Sequence, residues 1–351
     1  MKDLKWIVSF LLLGGTIQAQ TCHESGSAVH GMPPIGIMNG HTHGQGHWMA
    51  SYRFMSMNMN GVSSQGADLA TADVLNDYMM APKTMRMDMH MVGVMYAPID
   101  RLTFGVMANY NTSIMSMESA SSHTMEMGED HHHEPGMDDM NSSQQSYAVS
   151  EMKNEGLGDM KISGLYRIWV NPTHCLHAIT GVKIPSGSVD AGDQMHPIYP
   201  YSMQNGTGAL SGYLGLNYSW LLPKYLVGAQ AMTSMPLHEN KRGYVAPVTH
   251  EVNVWGARKW TRWMSTSVRV RGYYQSAVRG SDALISPTMS PLGNPVNMEQ
   301  WMLEAMGGIN FMPFDQWRIA VEAGVPGYQW NKGVAMNRQW TAIAGLQFIM
   351  H

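Results

Sequence analysis

Methionine stands at every second position through Met85-Arg86-Met87-Asp88-Met89-His90-Met91 and returns at Met95. A period of two is that of a β-strand, whose successive side chains point to opposite faces, so these thioethers share one face; a helix would scatter them round its axis. Met55-Ser56-Met57-Asn58-Met59 and Met115-Ser116-Met117 repeat the pattern on either side. A chain built round such segments is committed to strands, and the next question is how they are joined.

Alternation continues elsewhere. Trp48, Ala50, Tyr52 and Phe54 interleave with Met49, Ser51, Arg53 and Met55; Leu102, Phe104, Val106, Ala108 and Tyr110 interleave with Thr103, Gly105, Met107, Asn109 and Asn111. Segments of roughly ten residues with one apolar and one polar face are the dyad pattern of strands in membrane barrels. Similar segments at 158–169, 175–184, 209–220, 225–233, 250–258, 264–275, 301–311, 317–325 and 340–350 bring the expected total to about twelve, an even number as such barrels require. Connections near 97–101, 170–174, 221–224, 259–263 and 312–316 are short, whereas those near 60–84, 112–156, 185–208, 234–249, 276–299 and 326–339 are long. Short turns at one end and long loops at the other are the signature of an outer-membrane barrel, the short ones facing the periplasm. Trp48, Tyr96, Trp169, Trp220, Trp260, Trp263 and Trp317 fall beside the short turns, as a periplasmic aromatic girdle would. The expectation is an all-β fold: an antiparallel transmembrane outer-membrane β-barrel spanning residues 47–351.

The first nineteen residues read as an export signal, with Lys2 and Lys5 ahead of the apolar run Trp6–Gly14 and small residues through Ala19, and cleavage expected before Gln20. No later apolar run reaches the ~18 residues of a transmembrane helix. The reading places the protein in the outer membrane of a Gram-negative-type bacterium. Residues 20–46 are rich in His, Met, Gly and Pro and form an N-terminal arm, either a plug or a flexible tail. A charged fraction of 14% and a net charge of −4 give no basis for binding nucleic acid. Cys22 and Cys175 both fall on the periplasmic side; a disulfide tethering arm to barrel and a pair of free thiols are both open to them.

The loop 112–156 has no Lys or Arg before Lys153 and is crowded with Met115, Met117, Glu118, His123, Met125, Met127, His131, His132, His133, Met137 and Met140. Such a composition cannot bury a core and is expected at the outer surface without fixed structure.

Four further stretches carry a resemblance. They are Met85–Leu102 with its Met-Tyr-Ala-Pro-x-Asp-Arg-Leu ending, Glu155-Gly156-Leu157-Gly158-Asp159 with Met160–Ser163, Gly181–Ser188 with its Pro-Ser-Gly turn, and Met203-Gln204-Asn205-Gly206-Thr207-Gly208. In this order they resemble the outer-membrane transporter family labelled "MetA-pathway of phenol degradation", over about residues 45–350, with this chain a Met/His-rich member. The resemblance implies an outer-membrane barrel with a transport role and carries over no catalytic residue.

The methionine content, 35 of 351 residues, with 16 histidines, exceeds what a phenol-type transporter needs. Thioether sulfur is a soft ligand suited to Cu(I), and imidazole suits Cu(II). A weak multi-site array lets an ion pass from site to site. The candidate metal ligands are therefore Met55, Met57, Met59, Met85, Met87, Met89, His90, Met91, Met115 and Met117, with His123, Met125, Met127, His131–His133, Met137 and Met140 in the loop. Methionine is also a flexible apolar gap-filler, which alone would explain any single Met-x-Met. If the strand methionines face the lumen, Asp88 and His90 face outward, which is tolerable where the strand extends beyond the bilayer.

Two functions follow as expectations. The first is an outer-membrane transporter that binds or passes a soft ion, copper above all, with no resident cofactor. The alternative is a transporter of small hydrophobic or aromatic compounds with no metal role. No nucleophile motif gathers Ser, His and acid, so an enzyme is not expected. Lipid is the one expected macroscopic partner.

Overall fold

The computed structural model describes residues 32–120, 147–194 and 196–350. In chain order the strands are β1 (Trp48–Ser64), β2 (Ala67–Leu69), β3 (Met80–Ile99), β4 (Leu102–Ala120), β5 (Tyr147–Leu157), β6 (Met160–Val170), β7 (His174–Ile184), β8 (Ser211–Leu221), β9 (Tyr225–Pro236), β10 (Tyr244–Val245), β11 (Thr249–Lys259), β12 (Met264–Gln275), β13 (Arg279–Gly280), β14 (Gln300–Phe314), β15 (Trp317–Asn331) and β16 (Ala335–Met350). A short helix, α1 (Thr71–Leu75), lies in the first outer connection.

Long strands pair antiparallel with their neighbours in sequence, and β16 returns to β1 from Trp48↔Met350 up to Ser63↔Ala335. β5 and β6 are two halves of one stave, pairing with the upper and lower halves of β4 on either side of Gly158-Asp159. The result is a closed 12-strand barrel, whose ladders pair neighbouring backbones all the way round apart from local register shifts. Strands β2, β10 and β13 are small pieces of the outer connections.

The barrel is apolar outside and polar inside. Val92, Val94, Phe104, Val106, Leu214, Leu216, Val252, Val254, Val268 and Val270 stand exposed on the outer surface. Alternating with them, Thr103, Ser163, Asn217, Gln230, Asn253, Arg269, Glu304, Arg318, Glu322 and Gln347 are buried in the interior. A soluble sandwich shows the reverse; only a lipid solvent makes this arrangement favourable. The girdle at the short turns is present. Trp48, Phe348 and Trp317 form a continuous ring cluster, Trp263 meets Phe311 edge-on, and His174 stacks between Trp169 and Trp220.

The wall is uneven in height. β3 has 20 residues, β4 19 and β1 17, against 11 in β7 and β8. About 9–11 tilted residues cross a bilayer, so β1, β3 and β4 stand well above it. This extension resolves the charged face of β3. His90 lies nine residues above Ile99, at the outer interface, where its Nδ1 meets the Tyr52 hydroxyl at 2.7 Å and its ring packs on Phe54. Asp88, higher still, accepts from Ser56 at 2.6 Å and pairs with Arg86.

Three expectations need correction. The loop expected over 112–156 is narrower, because β4 runs on to Ala120 and β5 starts at Tyr147; Met115, Met117 and Glu118 are buried on the wall, where alternation outweighs the loop-like composition. The connection at 326–339 is no long loop: β15 and β16 continue through it, leaving 332–334 between them. Pro326 and Gly327 look like breakers, but the missing donor of Pro326 is absorbed by a register shift opposite Leu303/Glu304. The N-terminal arm, from residue 32 onward, is not a loose tail. It runs inside the barrel near the short turns, where the lumen holds it through its backbone. Arg318 donates to the Pro33 carbonyl, Gly36 N–H donates to Glu322 at 2.8 Å, and Gln230 donates to the Met38 carbonyl at 2.8 Å. His177 then reaches the Asn39 carbonyl at 2.9 Å, Asn217 the Gly40 carbonyl at 3.2 Å, and His43 N–H donates to Thr103 at 3.1 Å. Inward polar side chains that would otherwise be buried without partners thereby find them. Gly36 is required here: a Cβ would collide with Arg269 and Glu322.

Candidate functional site in the lumen

Above the arm lies a cavity of about 180 Å³. Its apolar wall is Met38, Met49, Met95, Met107 and Met232, drawn from the arm and from β1, β3, β4 and β9. Its polar wall includes Arg53, Lys161, Lys183, Tyr213, Gln230 and Glu251. Gly181 leaves room for the Tyr213 ring, whose hydroxyl donates to the Ile162 carbonyl at 3.0 Å across the lumen wall.

The charges opposite are compensated. Glu251 pairs with Arg271 at 2.9 Å; Arg271 also pairs with Glu304 at 2.6 Å, which Arg338 approaches at 3.5 Å. Lower down, Arg269 pairs with Glu322 at 2.7 Å, both fully enclosed. Among the described residues Arg53 has no carboxylate within ion-pair distance; its guanidinium donates to the Met38 sulfur at 3.0 Å.

The strand methionines converge on the lumen face. In the ladder, Met49 is opposite Met95, Met55 opposite Met89, Met57 opposite Met87 and Met59 opposite Met85. One rung continues across two more strands, Met85 opposite Met115 and Met115 opposite Met152. Met85, Met115, Met117, Met152, Met203 and Met336 are buried in one cluster, against which Met59, Met80 and Met87 pack. Met55 packs lower, beside Ile35 of the arm, and Met91 is buried opposite Arg53. Of the expected ligands on described strands, His90 alone stands apart, on the outer face. His123, Met125, Met127, His131, His132, His133, Met137 and Met140 lie outside the described residues, as do the export signal and Cys22. Among the described residues no group of three or more His, Cys, Asp and Glu side chains is placed to hold a metal ion.

The methionine cluster is roofed by the outer connections, and the motifs that carry the family resemblance build the roof. Asp159 accepts from Gly187 N–H at 3.1 Å, Thr207 N–H at 2.9 Å and the Thr207 hydroxyl at 2.7 Å. The Ser186 hydroxyl donates to the Gly158 carbonyl at 2.8 Å and accepts from Met160 N–H at 2.9 Å. The break between β5 and β6, the Pro-Ser-Gly turn and the Asn-Gly-Thr stretch are thus parts of one clamp. It seats Met203 over the rung, where Asn154 donates to the Met203 carbonyl at 2.6 Å.

Three connections then lock together. Arg242 pairs with Asp282 and approaches Asp190 at 3.5 Å, Asp282 N–H donates to Tyr201 at 3.0 Å, and β10 pairs with β13. Burial pushes the Tyr244 phenol up to about 12. Burial, with Asp193 accepting from its hydroxyl at 3.0 Å, pushes Tyr199 up to about 12 as well. Neither phenol ionises while the roof is packed.

Sequence reasoning missed Met152 and Met203, which lack a Met-x-Met neighbour, and the cavity's lysines, which stand in ordinary alternating segments. Strand register could have found Met152, since it falls opposite Met115 once β5 is extended upward.

A closed barrel with a buried arm below, a central cavity and a folded roof defines a class, the plugged outer-membrane β-barrel. The "COG4313 outer membrane channel from Pseudomonas putida F1" is similar to this chain with a TM-score of 0.59 at 11% identity, over 90% of this chain and 100% of that one. The NanC porin is similar at a TM-score of 0.41 and 7% identity, over 84% of this chain and 98% of its own. The transport unit of the autotransporter AIDA-I from Escherichia coli is similar at 0.46 and 11%, over 90% and 93%. No family model matches the chain, and no curated protein matches it. At these identities the first similarity establishes the fold.

Proposed function

We propose that the protein is an outer-membrane channel for small apolar or aromatic solutes. The observation that carries this reading is the methionine-walled cavity at the centre of the barrel. Its volume of about 180 Å³ is slightly larger than the ~150 Å³ engineered cavity known to bind benzene, so it holds one small ring. Thioether chains are polarisable and adapt to the shape of what they touch, which suits a family of related solutes. Above the cavity the ladder sets further methionines in pairs, Met55 with Met89, Met57 with Met87 and Met59 with Met85, up to the cluster beneath the roof.

Uptake of radiolabelled benzamide and arabinose by porin-deficient cells expressing the protein tests this. Benzamide uptake should exceed the vector control while arabinose uptake does not. Equal uptake of both solutes, or neither above the control, overturns the reading.

The rung Met59–Met85–Met115–Met152 favours a second reading: a soft-ion site at the outer mouth. Directly opposed residues on neighbouring strands lie about 5 Å apart at their Cβ atoms, so long thioether chains from three adjacent strands reach a common point. Neutral sulfur donors select Cu(I) or Ag(I) over hard cations. Titration of Ag(I) into the purified protein in chloride-free buffer should saturate at one strong site. The volume-conserving variant M85L/M115L/M152L should lose it, while alanines at His131–His133 should leave it. Binding unchanged in the leucine variant removes this reading and leaves the first intact.

A further inference from the structure

We infer that the cavity takes its solute by a carboxylate, so that the preferred ligand is a small aromatic or aliphatic carboxylate rather than a neutral hydrocarbon. The inference rests on the channel reading above and adds the charge of the substrate. Lys161 on β6 and Lys183 on β7 are directly opposite one another in the ladder, and both line the cavity. Like charges directly opposed on adjacent strands are destabilising. Alternation places both on the lumen side, away from the lipid that would separate them. Among the described residues neither has a carboxylate within ion-pair distance. The candidates are already engaged: Glu251 holds Arg271 and accepts from Asn253 at 2.7 Å, and Asp159 is surrounded by the three donors of the roof clamp.

Arg53, on the same cavity, adds a third cation whose one described polar contact is the Met38 sulfur. Elsewhere in the lumen Arg269, Arg271 and Arg338 are interleaved with Glu251, Glu304 and Glu322, and Arg318 and Arg167 are held by the neutral oxygens of Pro33, Asn310, Gln347 and Thr42. The cavity therefore pairs an apolar methionine wall with an uncompensated cationic one. A bound carboxylate placed between Lys161 and Lys183 removes their repulsion, and a ring attached to it lies against Met49, Met95 and Met107. The same field repels a soft monovalent cation descending from the outer rung, so an ion held there would remain there.

Two ligands of one shape, 4-fluorobenzoate and neutral 4-fluorobenzamide, test the charge directly. Binding to the purified protein in micelles is read from 19F line broadening and compared with K161M/K183M and with K161E, which places a carboxylate beside Lys183. The wild type should bind the benzoate at least about tenfold more tightly than the benzamide, a difference of about 1.4 kcal/mol. Both variants should lose that preference while keeping the benzamide. Thermal unfolding supplies a fold control with its own sign: the double methionine variant should be more stable than the wild type without ligand. Undiminished benzoate preference in both variants overturns the carboxylate site alone. Failure of the wild type to bind either compound overturns the channel reading with it.

Discussion

The energetics of single residues in this lumen are set by pairing. Arg269 and Glu322 are enclosed together, and Glu322 also accepts from Gly36 of the arm. Removing one partner of such a pair leaves a buried uncompensated charge. E322Q should lower the free energy of unfolding by about 3–5 kcal/mol, whereas R269M/E322L, which removes both charges, should fall much less. Denaturant unfolding in lipid vesicles measures the difference, and equal losses in the two variants would show that packing rather than charge holds this point. These two residues were invisible as a pair in the sequence, because 53 positions separate them and only the pairing of β12 and β15 on either side of β14 brings them together. The methionines were legible for the opposite reason: a period-two run announces its shared face locally. Their partners Met152 and Met203 carried no such local signal.

Among elements, the roof is the part whose stability depends on pH in a readable way. The phenols of Tyr199 and Tyr244 stand near 12 in the folded roof and near 10 in an open chain. The neutral form is the one the roof retains, so its contribution is fully present below pH ~10 and is lost as pH rises from ~10 toward ~12. A phenolate absorbance titration should show a late-ionising group of tyrosines that includes Tyr199 and Tyr244, and Y244F should remove one member of it. Ionisation of every tyrosine at the ordinary pH would mean that the connections do not pack as described. Strand existence and the alternation of short and long connections were readable from sequence. Strand height was legible at β3, where outward Asp88 and His90 called for an extension beyond the bilayer, and not at β4, whose upper half lies in a stretch of loop-like composition. Pro326 misled for a related reason, because a bulge can absorb what looks like a terminator.

At the scale of the whole molecule, the arm and the roof close the two ends of the barrel's lumen. A chain lacking residues 32–46 should form the same barrel, since no ladder pairing uses them, and should conduct ions in planar bilayers far better than the intact chain. Equal conductance would place the barrier at the roof instead. The arm's manner of attachment has a separate consequence. Pro33, Met38, Asn39 and Gly40 are gripped at their carbonyls, and Gly36 and His43 at their amides. The arm's side chains are held as well: Ile35 is buried against Met306, Ala320 and Ile343, Thr42 accepts from Arg167, and a Cβ at Gly36 would press on Arg269 and Glu322. Variation is easiest at Met38 and Asn39, whose carbonyls the lumen grips, and it is delivered to the floor of the cavity that both residues line. The arm is the place where selectivity can be rewritten while the barrel stays as it is.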